Sequence, residues 1–199
     1  MADTFLRFDT TLSFTNSSAW ERMSASTAQG GSTLDGAYIC NYFDGRYIYY
    51  CPSHSYTFLR FDTTQSFTNS SAWERMSVST AQGGSKVGDY VYSGICFDGR
   101  YIYYTFWMNR SVGNYFLRFD TTLSFTNSSA WERMNVSTAQ GGSIVDINGT
   151  YFGNCFDGRY VYYAVESASN TFLRFDTTQN FTNSSACIVT GKQIGRAHV

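Results

Sequence analysis

The sequence has little proline, little lysine and few charges for its length. Its 199 residues include one proline and two lysines, and charged residues make up 15% of the chain. With a formal net charge of −1, this composition argues against a basic surface that binds nucleic acid. No apolar run approaches the roughly 20 residues of a membrane-spanning helix, and the N-terminus lacks the features of a secretory signal. We expect neither nucleic acid nor membrane as a partner, and the cellular compartment stays unknown.

Aromatic residues are abundant instead. They make up 19% of the chain, with 17 phenylalanines, 16 tyrosines and 4 tryptophans, and hydrophobic residues reach 43%. A chain this apolar is not a disordered one. Because aromatic side chains favour strands over helices, the composition predicts an all-β fold.

The chain is an internal repeat. Segment 4–32 recurs almost verbatim at 57–85 and 115–143, and a fourth copy begins at Thr171. A second block, FDGRYIYY, recurs between these copies, with one Ile-to-Val change in its last occurrence. The repeat contains about 55 residues, and the chain holds about 3.5 of them.

Each unit contains four strand-like segments, which we call strands a to d. In the second full unit, Asp98-Gly99 favours a two-residue type I′ turn between strands a and b. The four predicted strands of this unit cover 90–97, 100–106, 115–121 and 131–137. Four antiparallel strands in a repeat of this length predict a blade of a β-propeller. Because the first unit begins at strand c, we expect an incomplete propeller and a fragment of a larger repeat protein.

A short helix is the alternative for strand d. The stretch Ser18 to Glu21 fits a helix capping box, and it recurs at Ser71 and at Ser129. The segment soon reaches serine, threonine and a glycine pair, which leaves few residues for a helix. We therefore predict strand d and keep the helix as an alternative.

Two stretches resemble kelch-like β-propeller repeats. The block FDGRYIYY is similar to the kelch hairpin between the first two strands, and LRFDTT followed by AWERM is similar to its last two strands. The likeness extends over nearly all of residues 4–186 and implies a propeller architecture. Tyr49-Tyr50 stand where kelch repeats carry a glycine pair.

The predicted domain is a repeat array over residues 1–186. It consists of a partial blade at 4–32, blades at 33–85 and 86–143, and a partial blade at 144–186. The similarity stops at Cys187, where the repeat would place tryptophan. We expect 187–199 to be a non-repeat tail, either a sequencing artefact or a genuine variable end.

Most charged residues occupy repeated positions. They come from an Arg-x-Asp pair such as Arg60/Asp62, from Glu-Arg in WERM, and from Asp-Gly-Arg. Charges present in every blade indicate structural pairs, and we expect the Arg and Asp of one strand face to interact with each other. The repeated charges are therefore not candidates for catalysis.

Sequence differences between units concentrate at one end of the predicted blades. The a–b and c–d loops are almost invariant, whereas the b–c and d–a loops vary. Because binding residues usually lie on loops of a rigid scaffold, this end is the candidate ligand site. Relaxed drift in unconstrained loops is the alternative explanation. The candidate ligand-binding residues are His54, Tyr56, Trp107, Asn109, Arg110 and Glu166.

We therefore expect a non-catalytic module that recognises a protein or a glycan. No repeated histidine, cysteine or carboxylate cluster predicts a metal site, no motif predicts a cofactor, and no residue is a candidate for catalysis. The five cysteines are an odd number without a Cys-x-x-Cys motif, and we predict buried free thiols. One alternative is a fragment of a propeller enzyme that acts on glycans. The other is a structural repeat that self-assembles through its open blade edges.

Overall fold

The computed structural model describes residues 4–31, 37–53, 55–84, 91–108, 115–139, 151–165 and 172–190. The described chain is all-β, as the composition predicts, and all its strand pairs are antiparallel. The strands are β1 (Thr4–Phe8), β2 (Trp20–Ser24), β3 (Ala37–Phe43), β4 (Tyr47–Ser53), β5 (Thr57–Asp62), β6 (Trp73–Ser77), β7 (Val91–Phe97), β8 (Tyr101–Met108), β9 (Tyr115–Asp120), β10 (Trp131–Asn135), β11 (Tyr151–Phe156), β12 (Tyr160–Val165), β13 (Phe172–Asp176) and β14 (Cys187–Thr190).

The strands form one two-stranded and three four-stranded units, in chain order. The first sheet is β1–β2, the second β3–β6, the third β7–β10 and the fourth β11–β14. Within each four-stranded sheet, consecutive strands are neighbours, so every sheet is a meander of strands a to d. A single bridge between Ser53 and Val91 links the second sheet to the third. This arrangement confirms the prediction of propeller-type blades of four antiparallel strands.

Strand d begins at Trp131 as predicted but ends at Asn135, two residues earlier than predicted, and the alternative helix at WERM is wrong. The turn before it is a single 3₁₀ turn in which the Asn69 side chain accepts a hydrogen bond from the Ser71 backbone N–H at 3.1 Å. Asparagine, not the predicted serine, therefore caps the turn. Trp73 begins β6, and its indole N–H donates to the Phe67 carbonyl at 3.2 Å. Short helices follow strand d instead, at α1 (Ala25–Ala28), α2 (Val78–Ala81) and α3 (Val136–Ala139).

The loop between strands a and b is longer than predicted. In the third sheet it spans 98–100, and the Asp98 carboxylate accepts the backbone N–H groups of Arg100 and Tyr101 at 2.8 and 2.7 Å. The Asp98 N–H donates to the Tyr101 carbonyl at 3.2 Å, and Gly99 has a φ of +102°. The predicted two-residue type I′ turn is wrong, because the aspartate side chain takes the N–H that would close it.

The sheets pack face to face through aromatic rings. Phe58 on β5 contacts the rings of Tyr104 and Trp131 in the third sheet, with centroids 4.5 and 4.9 Å away. Phe116 on β9 in turn stacks on Tyr163 in the fourth sheet at 4.2 Å. Strand c therefore has both faces buried, which explains its nearly continuous burial in the second and third sheets.

The first strands of neighbouring sheets approach one another closely. A β-bulge follows the same tyrosine in each of them, at Tyr38, Tyr92 and Tyr151. After the bulge, a Cβ added to Gly94 would lie 2.5 Å from the Cα of Gly153 in the fourth sheet. Only glycine leaves room for this contact, so the close approach of β7 and β11 requires glycine at position 94.

Candidate ligand-binding face

The meander topology gives the array two different ends. The a–b and c–d connections lie at one end of the sheets, which we call the repeated end. The b–c and d–a connections lie at the other, which we call the variable end. At the repeated end, polar side chains of each four-stranded sheet join the loops to one another.

At the repeated end, one aspartate connects the two loops of each four-stranded sheet. Asp62, at the end of β5, accepts a hydrogen bond from Nη2 of Arg46 in the a–b loop at 2.8 Å. It also accepts the backbone N–H and the hydroxyl of Thr64 at 3.0 and 2.7 Å. The same ion pair joins Arg100 to Asp120 and Arg159 to Asp176.

These hydrogen bonds favour the ionised carboxylate. Arg46 and Thr64 outweigh the effect of burial and lower the pKa of Asp62 to about 2. Arg159, with Thr178, similarly lowers the pKa of Asp176 to about 2. Both aspartates are therefore permanent anions at neutral pH, as a structural ion pair requires.

The arginine two residues before this aspartate has a different partner. Nε of Arg60 donates to Glu74 on the neighbouring strand at 2.6 Å, and its guanidinium lies 4.1 Å from the ring centre of Tyr47. Directly opposite residues on adjacent strands are closer than residues two apart on one strand. The predicted pairing of Arg60 with Asp62 is therefore wrong, although both charges are structural as expected.

At the variable end, two of the six predicted ligand-binding residues are described. Tyr56 is 43% exposed, and its backbone carbonyl accepts the Val78 N–H at 2.9 Å. Trp107 is half-buried near the end of β8. The other four lie outside the described residues, namely His54, Asn109, Arg110 and Glu166.

Trp107 forms an aromatic pair with a residue of the next sheet. Its ring meets that of Phe152 on β11 edge to face, with centroids 5.6 Å apart and planes at 86°. Phe152 is 47% exposed, so the pair has a solvent-facing part and connects the third sheet to the fourth.

Phe152 was not among the residues predicted from the sequence. It follows the repeated tyrosine of strand a, and the corresponding residues of the other units are Ile39 and Ser93. A variable position beside an invariant one is a signal that alignment of the units shows. The prediction missed it because it compared the loops and treated the strands as constant.

The fourth sheet carries a cavity of about 570 Å³ on one face. Its lining includes Asn154, Tyr162, Tyr163, Phe172 and Arg174. Three buried polar atoms of these residues have no hydrogen-bond partner within the described part of the chain, namely Asn154 Oδ1, the Tyr163 hydroxyl and Arg174 Nε. A smaller cavity of about 280 Å³ lies between the first and second sheets, and its lining includes Phe5, Tyr38 and Cys40.

The cysteines occur in several environments. Cys51 and Cys96 are buried free thiols, whereas Cys155 is exposed and Cys187 is half-buried. Cys40 lies directly opposite Cys51 in the register of β3 and β4, and both are free thiols. Burial raises the pKa of the Cys51 thiol. The prediction of buried thiols therefore holds for part of the set. Over the described ranges, no group of three histidine, cysteine or acidic side chains could hold a metal ion.

The fold and these contacts define a class of protein, an all-β chain of propeller-type blades whose repeated polar residues hold the loops. No protein-family model matches the chain, and comparison with curated proteins finds no relative. Among the helices that the structure describes, none is long and apolar enough to cross a membrane.

Proposed function

We propose that the chain is a kelch-like, non-catalytic binding module that recognises a protein or a glycan at its variable end. The observation that carries the proposal is the aromatic pair of Trp107 and Phe152. It lies at the variable end, joins two sheets and is partly open to solvent.

The distribution of sequence differences supports this location. At the repeated end, an arginine of the a–b loop pairs with the aspartate that ends strand c in each four-stranded sheet, so both positions are constrained by structure. At the variable end, Phe152 differs from the corresponding Ile39 and Ser93, whereas the preceding tyrosine is the same in each unit. A constant scaffold with variable positions at one end is typical of a recognition surface.

The chemistry of the pair suits the proposed ligands. The indole and the phenyl ring lie edge to face and present an apolar surface that is partly open to solvent. Aromatic residues with these properties anchor protein partners and offer a stacking surface to sugar rings. The kelch-like identity is supported by FDGRYIYY and the WERM stretch, which form the a–b hairpin and strand d.

Replacement of either aromatic ring tests the proposal. We expect the wild-type protein to bind a subset of a printed array of defined oligosaccharides or of a random peptide array. Trp107→Ala and Phe152→Ala should each weaken that binding by about tenfold, the loss expected for about 1.4 kcal/mol. Phe43→Ala is the matched control, since Phe43 is 53% exposed and precedes the a–b loop at the repeated end.

Circular dichroism would show whether each variant keeps the wild-type fold. Equal binding by the folded wild type and both folded variants would refute the proposed site. Absence of binding to both arrays by the wild type would refute the proposed function.

A further inference from the structure

Successive sheets are joined by the same cation–π contact. In each case the arginine of strand c lies over a phenylalanine in the c–d loop of the next sheet. The distances from guanidinium carbon to ring centre are similar, at 5.2 Å for Arg7 on Phe67, 5.0 Å for Arg60 on Phe125 and 5.0 Å for Arg118 on Phe181. The sheet interfaces are therefore copies of one geometry.

Two ring contacts accompany this arginine. A tyrosine of strand b packs on two phenylalanines of the next sheet. A phenylalanine of strand c packs on the tryptophan that begins strand d of the next sheet, in the sheets that have this tryptophan. The pairs are Tyr49 with Phe119 and Phe125, Tyr103 with Phe175 and Phe181, Phe5 with Trp73, and Phe58 with Trp131. One face of a sheet thus supplies Arg, Tyr and Phe, and the facing sheet supplies a Phe–Phe–Trp group.

The fourth sheet presents the first half of this interface to solvent. Phe172 is 64% exposed, whereas the corresponding Phe58 and Phe116 are 0% and 1% exposed. Arg174 lies over Tyr160 of its own sheet at 4.3 Å, and its Nε has no partner among the described residues. Phe172 and Arg174 also line the 570 Å³ cavity.

The first sheet presents the second half. Phe14 is 69% exposed, whereas its counterparts in the other sheets are almost fully buried, at 2% for Phe67, 0% for Phe125 and 1% for Phe181. Phe14 already packs against Phe8 and Trp20 at 5.4 and 5.2 Å. The Phe–Phe–Trp group is therefore assembled and has no sheet on its outer side among the described residues.

We propose that a second copy of this chain docks head to tail, with its first sheet against the fourth sheet of the first copy. In this interface Arg174 lies over Phe14, Tyr162 packs on Phe8 and Phe14, and Phe172 packs on Trp20. A second copy is the occupant because each molecule carries both complementary halves of an interface that it already forms internally. The contact joins two different surfaces, so it leads to a closed ring of copies or to an open chain.

Two charge substitutions test the proposal, one on each half. Light scattering after size exclusion at about 100 μM should give a mass above that of the monomer for the wild type, because standard interfaces are stable at this concentration. Phe172→Asp and Phe14→Asp should each be monomeric. A mixture of the two variants should form a discrete dimer, because each variant keeps the half that the other has lost.

Leu123→Asp is the matched control, since Leu123 is an exposed apolar residue of the c–d loop, 43% exposed, outside both halves.

Phe172 and Phe14 are exposed in the single chain, so their substitution should leave the circular dichroism spectrum unchanged. A monomeric wild type would overturn the proposal. So would folded single variants that still assemble, or a mixture of the variants that stays monomeric. Phe14 lies in the c–d loop at the repeated end, so the outcome for Phe14→Asp is independent of ligand binding at the variable end.

Discussion

At the scale of the residue, aspartate organises the repeated end. One aspartate in each four-stranded sheet closes the a–b loop by accepting backbone N–H groups, as Asp98 does for Arg100 and Tyr101. A second aspartate, such as Asp62, joins the a–b loop to the c–d loop through an arginine. These short acidic side chains accept hydrogen bonds from loop N–H groups that have no backbone carbonyl as a partner.

The ion pair of Asp62 predicts a pH-dependent loss of stability. Its pKa is lowered from 3.8 to about 2 in the folded chain, so its contribution is present above about pH 4 and is lost as the pH falls through 2. We expect Asp62→Asn to lower the melting temperature at pH 7, and the difference from wild type to shrink between pH 4 and pH 2. Thermal unfolding followed by circular dichroism across this range measures it.

Leu123→Gln is the control for this experiment. Gln65 and Gln179 occupy the corresponding position in other units, so the substitution is compatible with the fold. The difference between this uncharged variant and the wild type should not vary with pH. A constant difference for Asp62→Asn over the same range would contradict the assignment.

At the scale of the element, identical sequences differ in energy because their neighbours differ. Arg60 and Arg7 occupy the same position of strand c and each pairs with the glutamate opposite. The Arg60 side chain is 7% exposed, because the third sheet covers it, whereas the Arg7 side chain is 42% exposed. The same ion pair is therefore desolvated in one sheet and solvated in the other.

The two arginines provide a matched pair of variants. Arg60→Ala removes a buried charged hydrogen bond together with its ring contacts, and we expect a cost of about 2 kcal/mol in the free energy of unfolding. Arg7→Ala removes a solvated pair and a partly exposed contact with the Phe67 ring, and we expect a smaller cost of about 1 kcal/mol. Urea titration of the two variants compares the costs directly. Equal losses would show that burial by the third sheet does not strengthen the pair.

Much of the element pattern could be predicted from the sequence. The repeat identified strands a to d because alternating aromatic residues and loop residues recur at fixed offsets. The helices α1 to α3 were missed, because four residues are too few for a helical period. The partners of Arg60 and Asp62 were also missed, because they depend on strand register and on a side chain from another loop. The contact of Trp107 with Phe152 joins two sheets, and no local sequence pattern indicates it.

At the scale of the whole molecule, burial increases from the first sheet towards the middle of the array. The leucine of strand c shows this most clearly, since Leu6 is 60% exposed whereas Leu59 and Leu117 are 0% exposed. Arrays in which each unit contacts only its neighbours gain stability from every interface. The first sheet has one described neighbour and two strands, so it should open more readily than the third.

Hydrogen exchange measures this gradient. We expect the amides of β1 and β2 to exchange fastest, and those of β5 and β9 to be the most protected, because few buried contacts hold β1 and β2 in place. Mass spectrometry of exchanged peptides gives the comparison, although nearly identical peptides must be separated by their few sequence differences. Equal protection of β1 and β9 would contradict the gradient.

The shared register of strands c and d has a consequence for folding. Phe61 faces Trp73 in the second sheet as Phe119 faces Trp131 in the third, and the residues between them are nearly the same. A strand c from one unit can therefore pair with a strand d from another and form every contact of the native pair. What distinguishes the correct partner is its proximity along the chain. Correct assembly is thus favoured when each unit closes its short c–d loop before the next unit leaves the ribosome.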